Sequence, residues 1–141
     1  MILYLGTSCL IKLYVEDTDS KTIRRWVSEA EIVATCRVAY TEAISALDIR
    51  SKKGDLKEKD YDRIYEAFSS DWSKFAVVDF DDLEAGRLVK KYGINRMAAI
   101  HLSAAMNIQR AGNALNLAFS SVDERLCNAA GSEGLRILPL S

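Results

Sequence analysis

The sequence predicts an α/β fold with a mostly parallel sheet of four to five strands flanked by helices. Two patterns carry that expectation. Short continuous apolar runs recur along the chain, the signature of strands covered on both faces. Between them lie segments with helical spacing of apolar residues, most with a capping residue at the start or a glycine at the end. Strand and helix alternate throughout, which predicts right-handed crossovers between parallel neighbours. The 141 residues contain no repeat, low-complexity tract or linker, so one domain over 1–141 is expected.

Ile2-Leu3-Tyr4-Leu5 is the first strand, broken by Gly6. Thr7 or Ser8 is the expected cap of a short helix carrying Leu10, Ile11, Leu13 and Tyr14. Asp19 or Ser20 starts the next, with Ile23, Trp26 and Val27 on one face. Residues 31–35 read as a second strand, and a long helix follows from Val38 to Arg50. A polar turn at Lys52-Lys53-Gly54-Asp55 leads into a helix with Tyr61, Ile64, Tyr65 and Phe68 at i, i+3, i+4 and i+7. These two helices form a hairpin, and its second apolar stripe belongs to the core or to a dimer surface. Residues 75–78 are a third strand. Asp81 caps a helix through Leu83, Leu88 and Val89, and Gly93 stops it in the left-handed conformation. A helix from Met97 to Arg110, a strand at 117–120, a short helix from Asp123 to Ala130 and an edge strand at Ile137-Leu138 complete the order.

Composition excludes several function classes. The chain is 49% apolar and 28% charged with a net charge of −1, so it has no global attraction for nucleic acid; phosphate binding would need a local basic patch or bridging metal. The charges around the hairpin turn, Arg50, Lys52, Lys53, Lys57 and Lys59, are one such cluster. Cys9, Cys36 and Cys127 have no paired spacing and there is one histidine, His101, which argues for free thiols in the cytoplasm over a zinc site or disulfide framework. No apolar run approaches the roughly 18 residues of a membrane span. The apolar start lacks the basic segment and cleavage site of a signal peptide, and Lys12 interrupts it.

Sites in such folds form beyond the carboxyl ends of the strands, here at Gly6-Thr7-Ser8, Arg37, Asp79 and Ser121-Val122-Asp123. GTSCL after the first strand has the glycines of neither a dinucleotide fingerprint nor a P-loop. Gly6 excludes a phospho-acceptor site there. His101 falls within a helix far from any nucleophile elbow, and reads as a structural histidine.

Four segments in order, ILYLGTSCLIKLYV, YTEAISAL, MAAIHLSAAM and SSVDERLCNAAGSEGLRILP, resemble the signatures of PIN domains, closest to the VapC-type ribonuclease toxins. The resemblance spans the whole chain and implies a three-layer fold over 1–141. It implies a phosphodiesterase that gathers acids at one end of the sheet around Mg²⁺ or Mn²⁺, hard cations that take oxygen ligands and activate water. It also implies RNA as substrate and a cognate antitoxin, while the apolar faces of the first helices and the hairpin suit a homodimer. Of the four acid positions that the family uses, this chain has Glu42 and Asp123 as the expected catalytic and metal-binding residues, while Gly6 and Ala98 stand at the other two. Thr7, Ser121 and Glu124 are supporting candidates, and Asp79 a further acid. Read by itself, Glu42 is a surface glutamate and Asp123 a helix cap. The resemblance therefore implies either an impaired metal-dependent ribonuclease or a non-catalytic module that binds RNA, an antitoxin or itself.

Overall fold

The computed structural model describes residues 1–112 and 116–140. Five strands, β1 (Ile2–Leu5), β2 (Ile32–Cys36), β3 (Ala76–Val78), β4 (Leu117–Ser120) and β5 (Arg136–Ile137), form one sheet in the order β3-β2-β1-β4-β5. Every neighbouring pair is parallel. Seven α-helices connect or follow the strands among the described residues: α1 (Thr7–Ile11), α2 (Ser20–Glu29), α3 (Ala39–Lys52), α4 (Glu58–Asp71), α5 (Asp82–Tyr92), α6 (Arg96–Ala111) and α7 (Glu124–Ser132).

The pleat of the central strands divides the core in two. Leu3 and Leu5 of β1 point with Ala118 of β4 into a cluster completed by Cys9, Leu10, Ile23 and Trp26 from α1 and α2. Tyr4 and Phe119 point the other way, onto Leu88 of α5, Leu102 of α6 and Leu126 of α7. A sheet buried on both faces between helical layers is the three-layer arrangement that the apolar strands predict. α3 and α4 form the expected hairpin. There Phe68 packs against Tyr14, Tyr40, Trp72 and Phe75, with ring centroids 5.3–6.5 Å apart.

Several expectations shift. α1 is capped by Gly6, not by Thr7 or Ser8, which are its first residues; the Thr7 hydroxyl donates to Glu42 instead of to its own backbone. Leu13 and Tyr14 follow α1 in a turn. Asp19 precedes α2 with φ of 70° and its side chain makes no cap bond, while Ser20 accepts from the Asp17 amide. The core face of α5 is Ala85 and Leu88; Leu83 is 87% exposed. In α4 Ile64 and Phe68 are buried, but Tyr65 is exposed.

The reading of α5 by its ends holds. Asp81 accepts from the Glu84 amide at 2.9 Å and Gly93 closes the helix at φ of 65°. Asp81→Ala leaves that amide without its acceptor and is expected to lower stability by about 1 kcal/mol, read as a urea midpoint shift at unchanged slope.

Candidate active site

The carboxyl ends of β1 and β4 and the first turn of α3 open on a cavity of about 220 Å³. Its walls include Gly6, Thr7, Glu42, Ala98, His101 and Asp123. All four positions of the expected acid set therefore meet in one place, two as carboxylates and two as small residues without side-chain oxygen.

Glu42 reaches the cavity because β2 ends at Cys36 and a short turn delivers α3 with Glu42 in its first turn. Its Oε1 accepts from the Thr7 hydroxyl at 2.5 Å and lies 2.9 Å from His101 Nε2. Burial alone would raise the Glu42 carboxyl. The hydrogen bonds from His101 and Thr7 outweigh that and hold it below the ordinary carboxylate range. Asp123 is committed to the backbone as the N-cap of α7, where it accepts from the Leu126 amide at 3.2 Å. Its own amide donates to Ser121 Oγ at 3.1 Å.

Gly6 is buried with extended backbone, φ −70° and ψ 167°. A Cβ built there would lie 3.9 Å from Ser121 Oγ, an ordinary contact. Ala98 is 5% exposed, and its amide donates to Asn95, the cap of α6. Ser121 lines the cavity as expected. Glu124 is exposed and lines an adjoining hollow with Ser121 and Cys127 instead. Asp79 is not on the cavity wall; it pairs with Arg37 at 2.6 Å and accepts from the Phe80 amide.

His101 lines the cavity and is buried, as a structural or core-edge histidine would be. It is 4% exposed, and its two ring nitrogens meet Tyr4 on one side and Thr7 with Glu42 on the other. The available signal was spacing: His101 lies three residues after Ala98 on the same helical face. Tyr4 gave no signal, since a tyrosine in an apolar strand reads as packing.

A resident Mg²⁺ or Mn²⁺ wants an octahedral set of hard oxygens. Here one carboxylate has an oxygen occupied by two internal partners, and the other caps a helix. Among the described residues no group of three His, Cys, Asp or Glu side chains is placed to hold a metal ion. The donor set falls short of a resident site for either cation.

Fold and cavity together define a three-layer parallel α/β protein that presents carboxylates beyond the ends of its strands. The chain belongs to the PIN domain family, whose model matches residues 3–132. It is 26% identical over 144 aligned residues to ribonuclease VapC45 of Mycobacterium tuberculosis strain CDC 1551 / Oshkosh, with 98% of this chain and 95% of that protein covered. The same figures hold for ribonuclease VapC49 of strain ATCC 25618 / H37Rv. Among solved structures, PAE2754 from Pyrobaculum aerophilum shares the fold at a TM-score of 0.67 and 17% identity, over 97% of this chain and 83% of that one. VapBC2 from Rickettsia felis, solved with a DNA fragment from their promoter, does so at 0.65 and 13%, over 100% of both chains. No helix among the described residues is long and apolar enough to cross a membrane.

Proposed function

We propose that this chain is the toxin-type member of a toxin–antitoxin pair, a cytoplasmic PIN domain built for RNA phosphodiester cleavage whose own cleavage is strongly impaired. Near-full-length similarity to two proteins named as VapC ribonucleases supports the class. The observation that carries the impairment is the shared cavity: Glu42 and Asp123 are its acids, and Gly6 and Ala98 occupy its wall where the resemblance expects two more. Glu42 and Asp123 are the residues assigned to catalysis and to any divalent cation, with Thr7 and Ser121 in support. Binding of Mg²⁺ or Mn²⁺ is weakened or lost, because a cation here would have two carboxylates and would compete with Thr7 and His101 for one of them.

A second reading has its own support. The absence of a three-ligand group among the described residues suits a non-catalytic module that binds RNA, an antitoxin or a second copy of itself. Cleavage of labelled RNA in millimolar Mg²⁺ or Mn²⁺ tests the first reading. The unmodified chain is expected to cleave no faster than its Glu42→Gln variant. Rapid cleavage that Glu42→Gln abolishes would remove the impairment from the proposal. RNA binding that persists while the variant with Gly6→Asp and Ala98→Asp also fails to cleave would favour the second reading. A thermal scan adds an independent reading, since a cation bound at its Kd contributes only about 0.4 kcal/mol.

A further inference from the structure

Tyr4 lies in β1 with no exposed surface. Its ring stacks on Phe119 at 5.5 Å with 9° between the planes and meets the His101 ring edge-on at 5.8 Å. Those two contacts fix where the hydroxyl falls, which is 2.6 Å from His101 Nδ1. Burial pushes the Tyr4 hydroxyl far above its ordinary value, so it keeps its proton.

The protons along this chain of contacts can be counted. A carboxylate only accepts, so at 2.9 Å from Glu42 Oε1 the His101 Nε2 must carry a hydrogen. The Thr7 hydroxyl has one hydrogen, and it goes to the same Oε1 at 2.5 Å. Thr7 Oγ1 is then an acceptor for Nε2–H at 3.0 Å, which the geometry permits. On the opposite side of the ring Nδ1 lies 2.6 Å from the Tyr4 hydroxyl, a second hydrogen bond that fixes how the ring is turned. The Tyr4 hydroxyl, both ring nitrogens, the Thr7 hydroxyl and Glu42 Oε1 then each have a partner, in keeping with the absence of unpartnered buried side-chain N or O atoms among the described residues.

The geometry points to Tyr4 as a positioning residue: acting through His101, it fixes the imidazole with Nε2–H toward Glu42, so that Nε2–H and the Thr7 hydroxyl orient the carboxylate without a cation. The inference rests on Glu42 as the site acid. It places hydrogen-bond donors from within the chain where a metal-dependent site would use positive charge. Both donors converge on Oε1, so a ligand entering the cavity meets Glu42 through Oε2.

His101 is the sole histidine, so one imidazole appears in the ¹⁵N spectrum. In the unmodified protein Nε2 is expected to carry a proton, and neither the imidazole signals nor the Glu42 carboxyl ¹³C signal should move on adding Mg²⁺ or EDTA. Tyr4→Phe keeps both ring contacts and removes the hydroxyl. It is expected to shift the Nδ1 resonance, to speed exchange of the Nε2 proton and to move the Glu42 carboxyl signal, while the amide signals of β4 stay in place. His101→Gln, with an amide donor, should return the Glu42 signal toward its native position, and His101→Ala should not. A bare Nε2, a Glu42 signal that follows Mg²⁺, or an unchanged imidazole in Tyr4→Phe would overturn the inference. The Nε2 proton and the response of the unmodified chain to Mg²⁺ decide even if the variants do not fold. None of these readings depends on RNA cleavage, so a failed activity proposal leaves the test intact.

Discussion

Replacing Gly6 and Ala98 together by aspartate is expected to raise Mn²⁺-dependent RNA cleavage by about a hundredfold or more over the unmodified chain. Metal-assisted charge stabilisation is worth several kcal/mol and each tenfold in rate about 1.4 kcal/mol, which sets that scale. Both positions accept the change. Gly6 has backbone angles open to any residue, and its built Cβ meets nothing closer than 3.9 Å. It is also the N-cap of α1, where aspartate is favoured. Ala98 lines the same cavity, so a longer side chain has space to enter, and its amide is already bonded to Asn95. Four carboxylates in about 220 Å³ repel one another. Without metal the double variant should therefore be less stable than the unmodified chain, and Mn²⁺ should restore it. Each single variant should gain much less than the pair, because the ligands act as one set. Glu42→Gln in the double background should return cleavage to the starting level. A double variant that folds, binds Mn²⁺ and still fails to cleave would sink the assignment of these positions.

The parts of the fold legible in the sequence are those where one local rule acts alone. β1 and β4 begin and end as their apolar runs do, because nothing competes with burial on both faces. The caps of α5 and α7 were readable for the same reason: Asp81 and Asp123 each have an amide three residues on and no stronger partner. Where two rules compete, the reading slips. Phe75 looks like a strand residue, but it joins the aromatic cluster with Phe68 and Trp72, and pairing begins at Ala76. The last strand is set by its neighbour, since Arg136 and Ile137 pair with Ala118 and Phe119 and the pattern of 137–138 cannot show that register. Thr7 has the chemistry of a cap and is diverted by a carboxylate 35 positions away.

The site divides along the same line. Glu42, Asp123, Gly6 and Ala98 came to attention through the resemblance, and the fold brings all four to one cavity. Glu124 and Asp79, the secondary acids of the sequence, lie elsewhere, one exposed beside Ser121 and one paired with Arg37. His101 and Tyr4 are 97 residues apart, and their contact depends on α6 crossing the face of the sheet onto which Tyr4 projects. Alternation along β1 tells that Tyr4 opposes Leu3 and Leu5, but not which helix covers it.

Glu133, which is not on the cavity wall, should make the fold sensitive to acid. It follows α7, is only 10% exposed as a side chain, and gathers three groups of α5: Arg87 at 2.8 Å, Lys91 at 3.2 Å and the Tyr92 hydroxyl. The Arg87 hydrogen bond foremost, then that from Tyr92, outweigh burial and hold the Glu133 carboxyl down at about 2, from an ordinary 4.5. A carboxyl that is more acidic folded than unfolded stabilises the fold fully above the unfolded value. That contribution is lost as pH falls from about 4.5 through about 2. A shift of this size corresponds to at most about 3 kcal/mol. Arg87 and Lys91 are 46% and 55% exposed, and the water around them screens the pairs. A contribution of about 1–2 kcal/mol is therefore the expected value. Glu133→Gln should lose that much at pH 7 in urea unfolding, and the gap to the unmodified chain should close between pH 5 and pH 2. The loss should fall on the docking of α7 against α5, so amide exchange should quicken in α7 before it does in β1. A gap that stays constant down to pH 2 would mean that the carboxyl is held by shape and not by charge.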